Sequence, residues 1–499
     1  MPATIVSGLA SFGPLLKEFY QGPIANQLNE RVWMREYFQK KSKGWSGSEM
    51  VIPVHTARNT GVGFIGESPA LLPLAGQQGY ADLRVFSRNS YGRFQVSGQA
   101  MDTATKGGVG AFAGVMNEEM DRLVRDIVNN ENYMGVFGGN VKGLLNQRQA
   151  GTATPALVQD ATVIGSFSVA QVWQYQGDFS YFDGTRTGQA VVAANTATWI
   201  KVDLINLDTY ATVNWFGASD NVMVTAFNDN RTNPTITLRY GDDSGGAQNF
   251  DLTTVLNDAA IGVRISDARA DAPLTSGLFG QDPAVWAGPG TAGPQNVIVN
   301  QPNGLFGNLC EPTHFGVDRT TATGTADILQ STIVTHGLAA AGGLPAGDRG
   351  LPSADLSLER LQYMFDVLQQ DAGVDANVMV MNALMRHRYT VQLTGIMGTQ
   401  NNVFVNGDSG KLQENQQNLA YGGVKFQYDR TFPICTIAML HSDAWLLAEL
   451  TTGQFADEDG NVLFRVAGQD AYEGFWKHRY NIACKRPNAQ VILTGITPT

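Results

Sequence analysis

Two β-prone runs near the start of the chain are set off by the alternation of apolar and polar positions. Val51, Ile52 and Val54 make the first, and Pro53 within it confines that run to a sheet edge or a bulge. In the second, Leu83 and Val85 flank Arg84, and Phe94 and Val96 alternate with Arg93, Gln95 and Ser97, the period of a half-buried strand. Between them runs a long excursion punctuated by Gly61, Gly63, Gly66, Pro69, Pro73 and Gly76. The pattern predicts an antiparallel hairpin with an oversized tip. A loop of that length is normally kept because it touches something else, here a neighbouring copy of the same protein.

From Phe112 the period becomes helical. Phe112, Met116, Met120, Leu123 and Ile127 form one stripe, widened by Val115, Val124 and Val128. Glu118 with Arg122, Asp121 with Arg125, and Arg122 with Asp126 are i, i+4 pairs on the other face. A helix ending near Gly135 is expected, a strut about 35 Å long at roughly 1.5 Å per residue. Gly108-Val109-Gly110 ahead of it has the look of a phosphate-cradling turn. The third glycine comes one residue late, at Gly114, and no Lys-Ser/Thr follows, so the segment reads as a flexible hinge feeding the strut.

Composition then changes sharply. No Glu occurs between Glu131 and Glu311, and Lys appears there only at Lys142 and Lys201, so two strong helix formers are scarce. Residues 160–300 hold fourteen Asp against six Lys and Arg, a net −8. Strand signals recur at Ile200, Val202 and Leu204, at Val222, Val224 and Ala226, at Ile236, Leu238 and Tyr240, and at Ile261, Val263 and Ile265. Turn residues lie between them, at Asn228-Asp229-Asn230, Asn233-Pro234 and Gly241-Asp242-Asp243. A separate all-β barrel or sandwich, inserted into the surrounding fold, is predicted. After a Gly/Ala/Pro-rich connector over 337–352, Leu358, Leu361, Phe365 and Leu368 predict a helix stopped by Gly373. Val378–Met381 reads as a strand and Ala383–Leu393 as a helix. Val424–Tyr428, Cys435–Leu440 and Trp445–Leu450 read as strands of one sheet, and the tail from Tyr480 to Ile496 is expected to return to the core near the strut.

The net charge of −11, with no Lys/Arg run longer than Lys40-Lys41, excludes a groove that neutralises many phosphates. The first 45 residues are mildly basic, six Lys and Arg against three Glu. Cys310, Cys435 and Cys484 are odd in number and lack C-x-x-C spacing, which speaks for buried thiols over a disulfide framework or a zinc site. Met1–Phe12 has no basic region followed by an apolar one, so a secretory signal is not expected, and no apolar run reaches the roughly 20 residues that span a bilayer. A soluble, cytosol-made protein without membrane partners is the expectation.

Candidate chemistry is sparse. His441-Ser442-Asp443 are consecutive, whereas a triad converges in space, so a loop after the strand ending at Leu440 is the better reading. His55, His314, His336, His387 and His478 show no metal-ligand spacing. Asp457-Glu458-Asp459-Gly460 has the start of a calcium loop, but Leu463, Arg465 and Val466 stand where the later Glu would be needed, and an acidic turn is expected. No convergent catalytic set, metal site or cofactor site is found, and the chain reads as a non-enzyme. Arg84, Arg88 and Arg93, on or beside the excursion, are either solvated edge charges or partners for a neighbour's acidic surface.

Several strings in this order resemble the major capsid proteins of tailed bacteriophages, the Hong Kong 97-like shell fold. They are Gly44-Trp45-Ser46-Gly47 leading into Val51-Ile52-Pro53-Val54-His55-Thr56, Gly76 to Tyr80, Ser90-Tyr91-Gly92-Arg93 leading to Gly98, His314-Phe315-Gly316-Val317-Asp318-Arg319, Arg486-Pro487-Asn488-Ala489, and Leu493-Thr494-Gly495-Ile496. The resemblance covers residues 1–160 and 305–499. It implies an α+β fold with an N-terminal arm (1–49), an extended loop hairpin (50–97), a peripheral domain with a spine helix (98–159), an inserted β domain (160–305), a connector (306–349), an axial domain (350–479) and C-terminal strands returning to the peripheral domain (480–499).

The resemblance also implies a homo-oligomer of hexamers and pentamers forming an icosahedral shell in the virion, assembled in a bacterial cytoplasm. Packaged double-stranded DNA would lie against the inner face without sequence specificity, and the further partners would be a portal, a decoration protein and a scaffolding protein. The scaffold is expected to be separate, because no long charged helical extension precedes the arm. Arg58, Phe64, Arg84, Arg88, Tyr91 and Arg93 become candidate inter-subunit contacts, and Gly61, Gly63 and Gly92 candidate hinges. Some members lock their shells by Lys-to-Asn isopeptide bonds from this loop. Here no Lys lies between Lys43 and Lys106, so the contacts would be non-covalent. The competing readings are an encapsulin-like nanocompartment shell and a hydrolase that uses the β insertion as a binding module.

Overall fold

The computed structural model describes residues 32–64, 73–99, 109–148, 167–177, 199–207, 210–212, 222–228, 235–241, 261–269, 301–320, 329–335, 356, 358–397, 419–434, 436–457, 462–494 and 496. The first element is α1 (Trp33–Gln39), which buries Met34, Tyr37 and Phe38 on one side. It runs into the short strand β1 (Ser42–Gly44) and then β2 (Glu49–Ala57), β3 (Gly79–Phe86) and β4 (Arg88–Ser97). The long helix α2 (Val109–Phe137) follows, then the strands β5 (Val141–Arg148), β6 (Phe167–Gly177), β7 (Trp199–Asn206), β8 (Val222–Asn228), β9 (Thr235–Gly241) and β10 (Ile261–Arg269). Next come α3 (Leu305–Cys310), β11 (Thr313–His314), β12 (Val317–Asp318), β13 (Thr332–Thr335), α4 (Leu358–Ala372), β14 (Val378–Met381) and α5 (Ala383–Met397). The chain ends with β15 (Ala420–Tyr421), β16 (Val424–Tyr428), β17 (Ile437–Leu440), β18 (Trp445–Phe455), β19 (Phe464–Arg465), β20 (Ala471–Cys484) and β21 (Gln490–Thr494).

β2 and β3 pair antiparallel as a two-stranded sheet of their own, with Val51 opposite Arg84 and His55 opposite Tyr80. β4 does not continue this hairpin, although the sequence pattern put residues 50–97 together. Only Ser87 separates it from β3, yet β4 pairs along its whole length with β20, from Arg88 opposite Tyr480 to Ser97 opposite Ala471. Its alternating run finds in β20 a partner of matching length and period. The resulting sheet, β1-β18-β20-β19 with β4 on the far side of β20, also takes Trp445–Phe455 away from the sheet expected for it. A 3-10 turn at Ser442–Ala444 redirects the chain between β17 and β18. A six-stranded mixed sheet has the order β13-β21-β17-β14-β16-β15, and β11 and β12 pair with each other.

α4 lies on that six-stranded sheet. Leu361, Met364 and Leu368 are fully buried with Met379, Met439 and Val491 in one apolar cluster, each contributing about 1.5–3 kcal/mol. Gly373, at φ +63°, ends the helix as expected. A second cluster joins α1, the C-terminal half of α2, α3, β18 and β20, including Met34, Phe38, Phe137, Phe306, Trp445 and Ile482. All six residues of α3 are buried, so the segment read as a connector begins inside the core.

The six strands β10-β5-β6-β9-β8-β7 close into a barrel. It starts at Val141, before the expected boundary at 160, because β5 follows α2 directly through Gly138 and Gly139. Lys142 and Gly143 break the apolar alternation that would have marked it as a strand. Val141, Leu144, Ile205 and Leu207 pack into the same cluster as α1 and α3, so the barrel is built onto the core. Val109 and Gly110 of the segment read as a hinge lie inside α2, and Gly108 lies outside the described residues.

Candidate functional site

The outer face of the hairpin carries Val51, Pro53, His55, Tyr80, Asp82, Arg84 and Phe86, all exposed. Its other face buries Leu83 and Val85 toward the root, and Thr56 is buried nearer the neck. At the root Val85, Ala448 and Ala483 are buried, with Trp45, Met50, Ile52 and Phe315 packed around them. The Phe315 carbonyl accepts from Arg84 N at 3.0 Å, and the Glu449 carbonyl from Trp45 N at 3.1 Å. Phe315 and Gly316 form the tight turn between β11 and β12, both with positive φ, 46° and 91°. His314 of that turn is buried with Nε2 2.8 Å from the Cys484 carbonyl. Strings far apart in sequence, around Trp45, Ile52, Phe315 and Cys484, thus meet at the hairpin root.

Beyond the root several apolar side chains of the hairpin are exposed. Val62, Leu74 and Phe64 are 82%, 91% and fully exposed, and Tyr80 is 68% exposed. A two-stranded ribbon is marginal by itself in water, and contiguous exposed apolar side chains mark an interaction surface. At the neck Gly61 and Gly76 face one another: a Cβ on Gly61 would lie 2.7 Å from Gly76 N, and one on Gly76 would lie 2.6 Å from Gly61 N. A Cβ on Gly63 would meet Pro73 Cγ at 3.1 Å. The close approach of the two limbs accounts for glycine at these positions. The tip, residues 65–72, lies outside the described residues.

The candidate contact residues fall into two groups. Arg58, Phe64 and Tyr91 are exposed, the last at 55%. Arg84 pairs with Glu49 at 3.2 Å, Arg93 pairs with Glu473, and Arg88 is partly buried, which lowers its pKa. Arg84 and Arg93, read either as solvated edge charges or as partners for a neighbour, are therefore paired within the chain. Gly92 is buried where β4 crosses α2, in the middle of an unbroken strand pair.

Behind the root lies a set of buried polar contacts that the sequence pattern gave little sign of. Asp429, fully buried, accepts from Met34 N at 2.9 Å, Asn132 Nδ2 at 3.1 Å and Thr431 Oγ1 at 2.6 Å, and so satisfies the first turn of α1 from the far end of the chain. His478 lies between Glu131 at 2.6 Å and Glu449 at 3.1 Å, and Arg35 Nε is 2.7 Å from Glu131. The one sequence signal was the run Asn129-Asn130-Glu131-Asn132, polar residues in a stretch of α2 that proves buried. Arg319 is buried over the Tyr210 ring and donates to the Leu309 and Asn308 carbonyls at 3.0 and 2.6 Å.

Ser442 Oγ donates to Asp443 Oδ1 at 3.3 Å, and each of the three residues His441, Ser442 and Asp443 also has a partner elsewhere. His441 Nδ1 is 2.8 Å from the Asp375 carbonyl, Ser442 Oγ accepts from Asn377 Nδ2 at 3.1 Å, and Asp443 pairs with Lys41 at 3.0 Å. They occupy the turn after β17, as the sequence suggested. Cys310 and Cys484 are free and buried, and burial pushes both thiols up to about 12. Cys435, His336 and Glu458-Asp459-Gly460 lie outside the described residues. Among the described residues no group of three or more His, Cys, Asp or Glu is placed to hold a metal ion, and no helix is long and apolar enough to cross a membrane.

No protein-family model matches the chain, and no curated protein does. Among solved structures, it is similar to the cyanophage A-1(L) capsid asymmetric unit, at 10% identity over 97% of this chain and 98% of that one, with a TM-score of 0.47. It is similar also to the capsid of a native GTA particle, at 9% identity over 99% and 100% and a TM-score of 0.47. A third is a structure from Microbacterium phage Oxtober96, at 10% identity over 98% of each chain and a TM-score of 0.41.

Proposed function

We propose that this chain is a major capsid protein of a tailed bacteriophage, a structural subunit that assembles with its own copies into a closed shell. The observation that carries the reading is the hairpin. Its root is anchored by Trp45, Ile52, Val85 and Phe315, while Val62, Phe64, Leu74 and Tyr80 are largely exposed to solvent. Such an arm gains stability only when another surface covers it, and a second copy supplies that surface in a shell, where one chain makes several moderate interfaces whose sum closes the particle. Of the strings that resemble capsid proteins, those around Trp45, Ile52 and Phe315 meet at this root, at the base of the element that reaches out.

In this reading Arg58, Phe64 and Tyr91 contact the neighbour, hexamers and pentamers form the icosahedral surface, and double-stranded DNA fills the interior against a chain of net charge −11 without sequence readout. Gly61 and Gly63 at the neck are where the arm changes angle as the shell forms. A portal, a scaffolding protein and a decoration protein complete the particle, built in a bacterial cytoplasm.

The test replaces residues 58–78 by Asn-Gly, joining Ala57 to its register partner Gly79 through a two-residue turn. Negative-stain microscopy and sedimentation of the parent and shortened proteins are compared, with the scaffolding protein co-expressed. Closed particles from the parent and folded, unassembled protein from the variant are expected. Particles from the shortened protein, or a parent that stays monomeric with its hydrolytic activity abolished by His441→Ala, would overturn the reading.

A further inference from the structure

His478 lies at the centre of a buried ionic cluster that takes no part in the hairpin. Its Nδ1 is 2.6 Å from Glu131 Oε1 and its Nε2 3.1 Å from Glu449 Oε1, with side chains 6%, 4% and 15% exposed. An ionised carboxylate can only accept, so both ring nitrogens serve as donors only in the imidazolium form. Each carboxylate turns its second oxygen to the same short stretch of chain. Glu131 Oε2 accepts from Arg35 Nε in α1 at 2.7 Å, and Glu449 Oε2 accepts from the Ser42 hydroxyl in β1. With the ring charged, two cations face two anions. Without its proton, the cluster keeps one uncompensated negative charge and a ring lone pair aimed at a carboxylate.

We propose that His478 is a proton-operated latch: while charged it fixes Glu131 and Glu449, and through them it holds residues 33–44 against α2, β18 and β20. The groups that face it come from every neighbouring element. They are Glu131 from α2, Arg35 from α1, Ser42 from β1, Glu449 from β18, and Trp476 and Tyr480 from β20 itself, with the Tyr480 ring stacked at 4.2 Å. From β4, Ser90 is in register with His478 and Arg88 with Tyr480. Burial and the neighbouring Glu131 push the Tyr480 phenol well above its ordinary value, so it stays neutral and offers no competing charge. Arg35, Gln39, Glu131, Glu449 and His478 are among the residues that line a small cavity of about 20 Å³. Raising the pH removes the proton, so the hold on α1 and β1 weakens as pH rises. The latch acts within one chain, whether or not copies assemble.

Hydrogen exchange of the full-length protein across about pH 5 to 8, the range in which histidine changes charge, tests this once intrinsic exchange rates are divided out. In the parent, protection of residues 33–44 is expected to fall as pH rises, by at most about tenfold per pH unit for one linked proton, while Leu358–Ala372 holds its protection. Glu449→Gln supplies an amide that can donate to a neutral ring, so its profile is expected to flatten with protection kept at the upper end. His478→Gln is expected to give low protection that does not vary with pH. A flat parent profile, or a Glu449→Gln profile that overlays the parent, would overturn the latch, and the second comparison decides even where His478→Gln does not fold.

Discussion

Gly92 and Ile127 meet where β4 crosses the long helix: a Cβ on Gly92 would lie 2.3 Å from Ile127 Cδ1 and 2.9 Å from its Cγ1. Glycine at this position lets the helix rest directly on the strand. Gly92→Ala is therefore expected to cost about 1–3 kcal/mol through overpacking, read as a lower midpoint in urea. Ile127→Ala in the same chain should return part of the loss, because the methyl then occupies the space the isoleucine left. Equal and additive losses in the double variant would show that the crossing does not set the cost.

The same crossing shows what the sequence could and could not reveal. Leu361, Phe365 and Leu368 with Gly373 marked a helix because one face is buried throughout and its end needs a positive φ. The hairpin pairing was legible because Val51, Ile52 and Val54 on one limb answer Leu83 and Val85 on the other. The partner of β4 was not, since nothing local distinguishes pairing with the preceding strand from pairing with residues 471–480. Helix α3, six residues of Leu-Phe-Gly-Asn-Leu-Cys, is too short to show a period. Glu131 and His478 were invisible as a pair because their 2.6 Å contact joins positions 347 residues apart, and polar residues in a helix read as solvated ones.

Asp429 holds the first turn of α1 and Asn132 together, so its removal leaves several buried donors without an acceptor. Asp429→Ala is expected to destabilise the protein by about 2–4 kcal/mol, above the loss of a single hydrogen bond. Asn132→Ala alone should cost less, and the double variant should fall short of the sum. Urea melts of the three variants measure both terms.

Cys310 and Cys484 are held as neutral thiols, with burial raising each from 9.0 to about 12. Alkylation by iodoacetamide at mildly alkaline pH, mapped by peptide, should therefore spare both in the folded chain and label both in denaturant. Above about pH 9 the unfolded chain gives up these protons and the folded chain keeps them. Stability is expected to fall with rising pH over that window, measurable as a declining urea midpoint. Labelling of the folded chain at the denatured rate would contradict the buried placement.

Tyr210 joins the barrel to the core. Its hydroxyl donates to the Leu309 carbonyl at 2.9 Å and accepts from Ser331 N at 2.9 Å, beneath the Arg319 guanidinium. Tyr210→Phe keeps the ring and the cation above it but strands the Ser331 amide, at a cost of about 1–3 kcal/mol. If the barrel is built onto the core, it unfolds together with the rest, and the variant lowers one shared transition. A separate barrel transition that alone moves in calorimetry would show that the two parts are independent.

Phe64 and Leu74 distinguish a surface that stabilises the subunit from one that stabilises an assembly. Both are almost wholly in solvent, so Phe64→Ser with Leu74→Ser removes no intramolecular packing and should leave the urea midpoint within about 0.5 kcal/mol of the parent. Burial of the same side chains under a neighbour would gain about 1.5–3 kcal/mol each, repeated at every copy. The double variant is therefore expected to lose closed particles while the free subunit melts as before. Unchanged particle yield in sedimentation would mean that these two side chains are not what neighbouring copies cover, whereas a lowered midpoint of the free subunit would place their partner within its own chain.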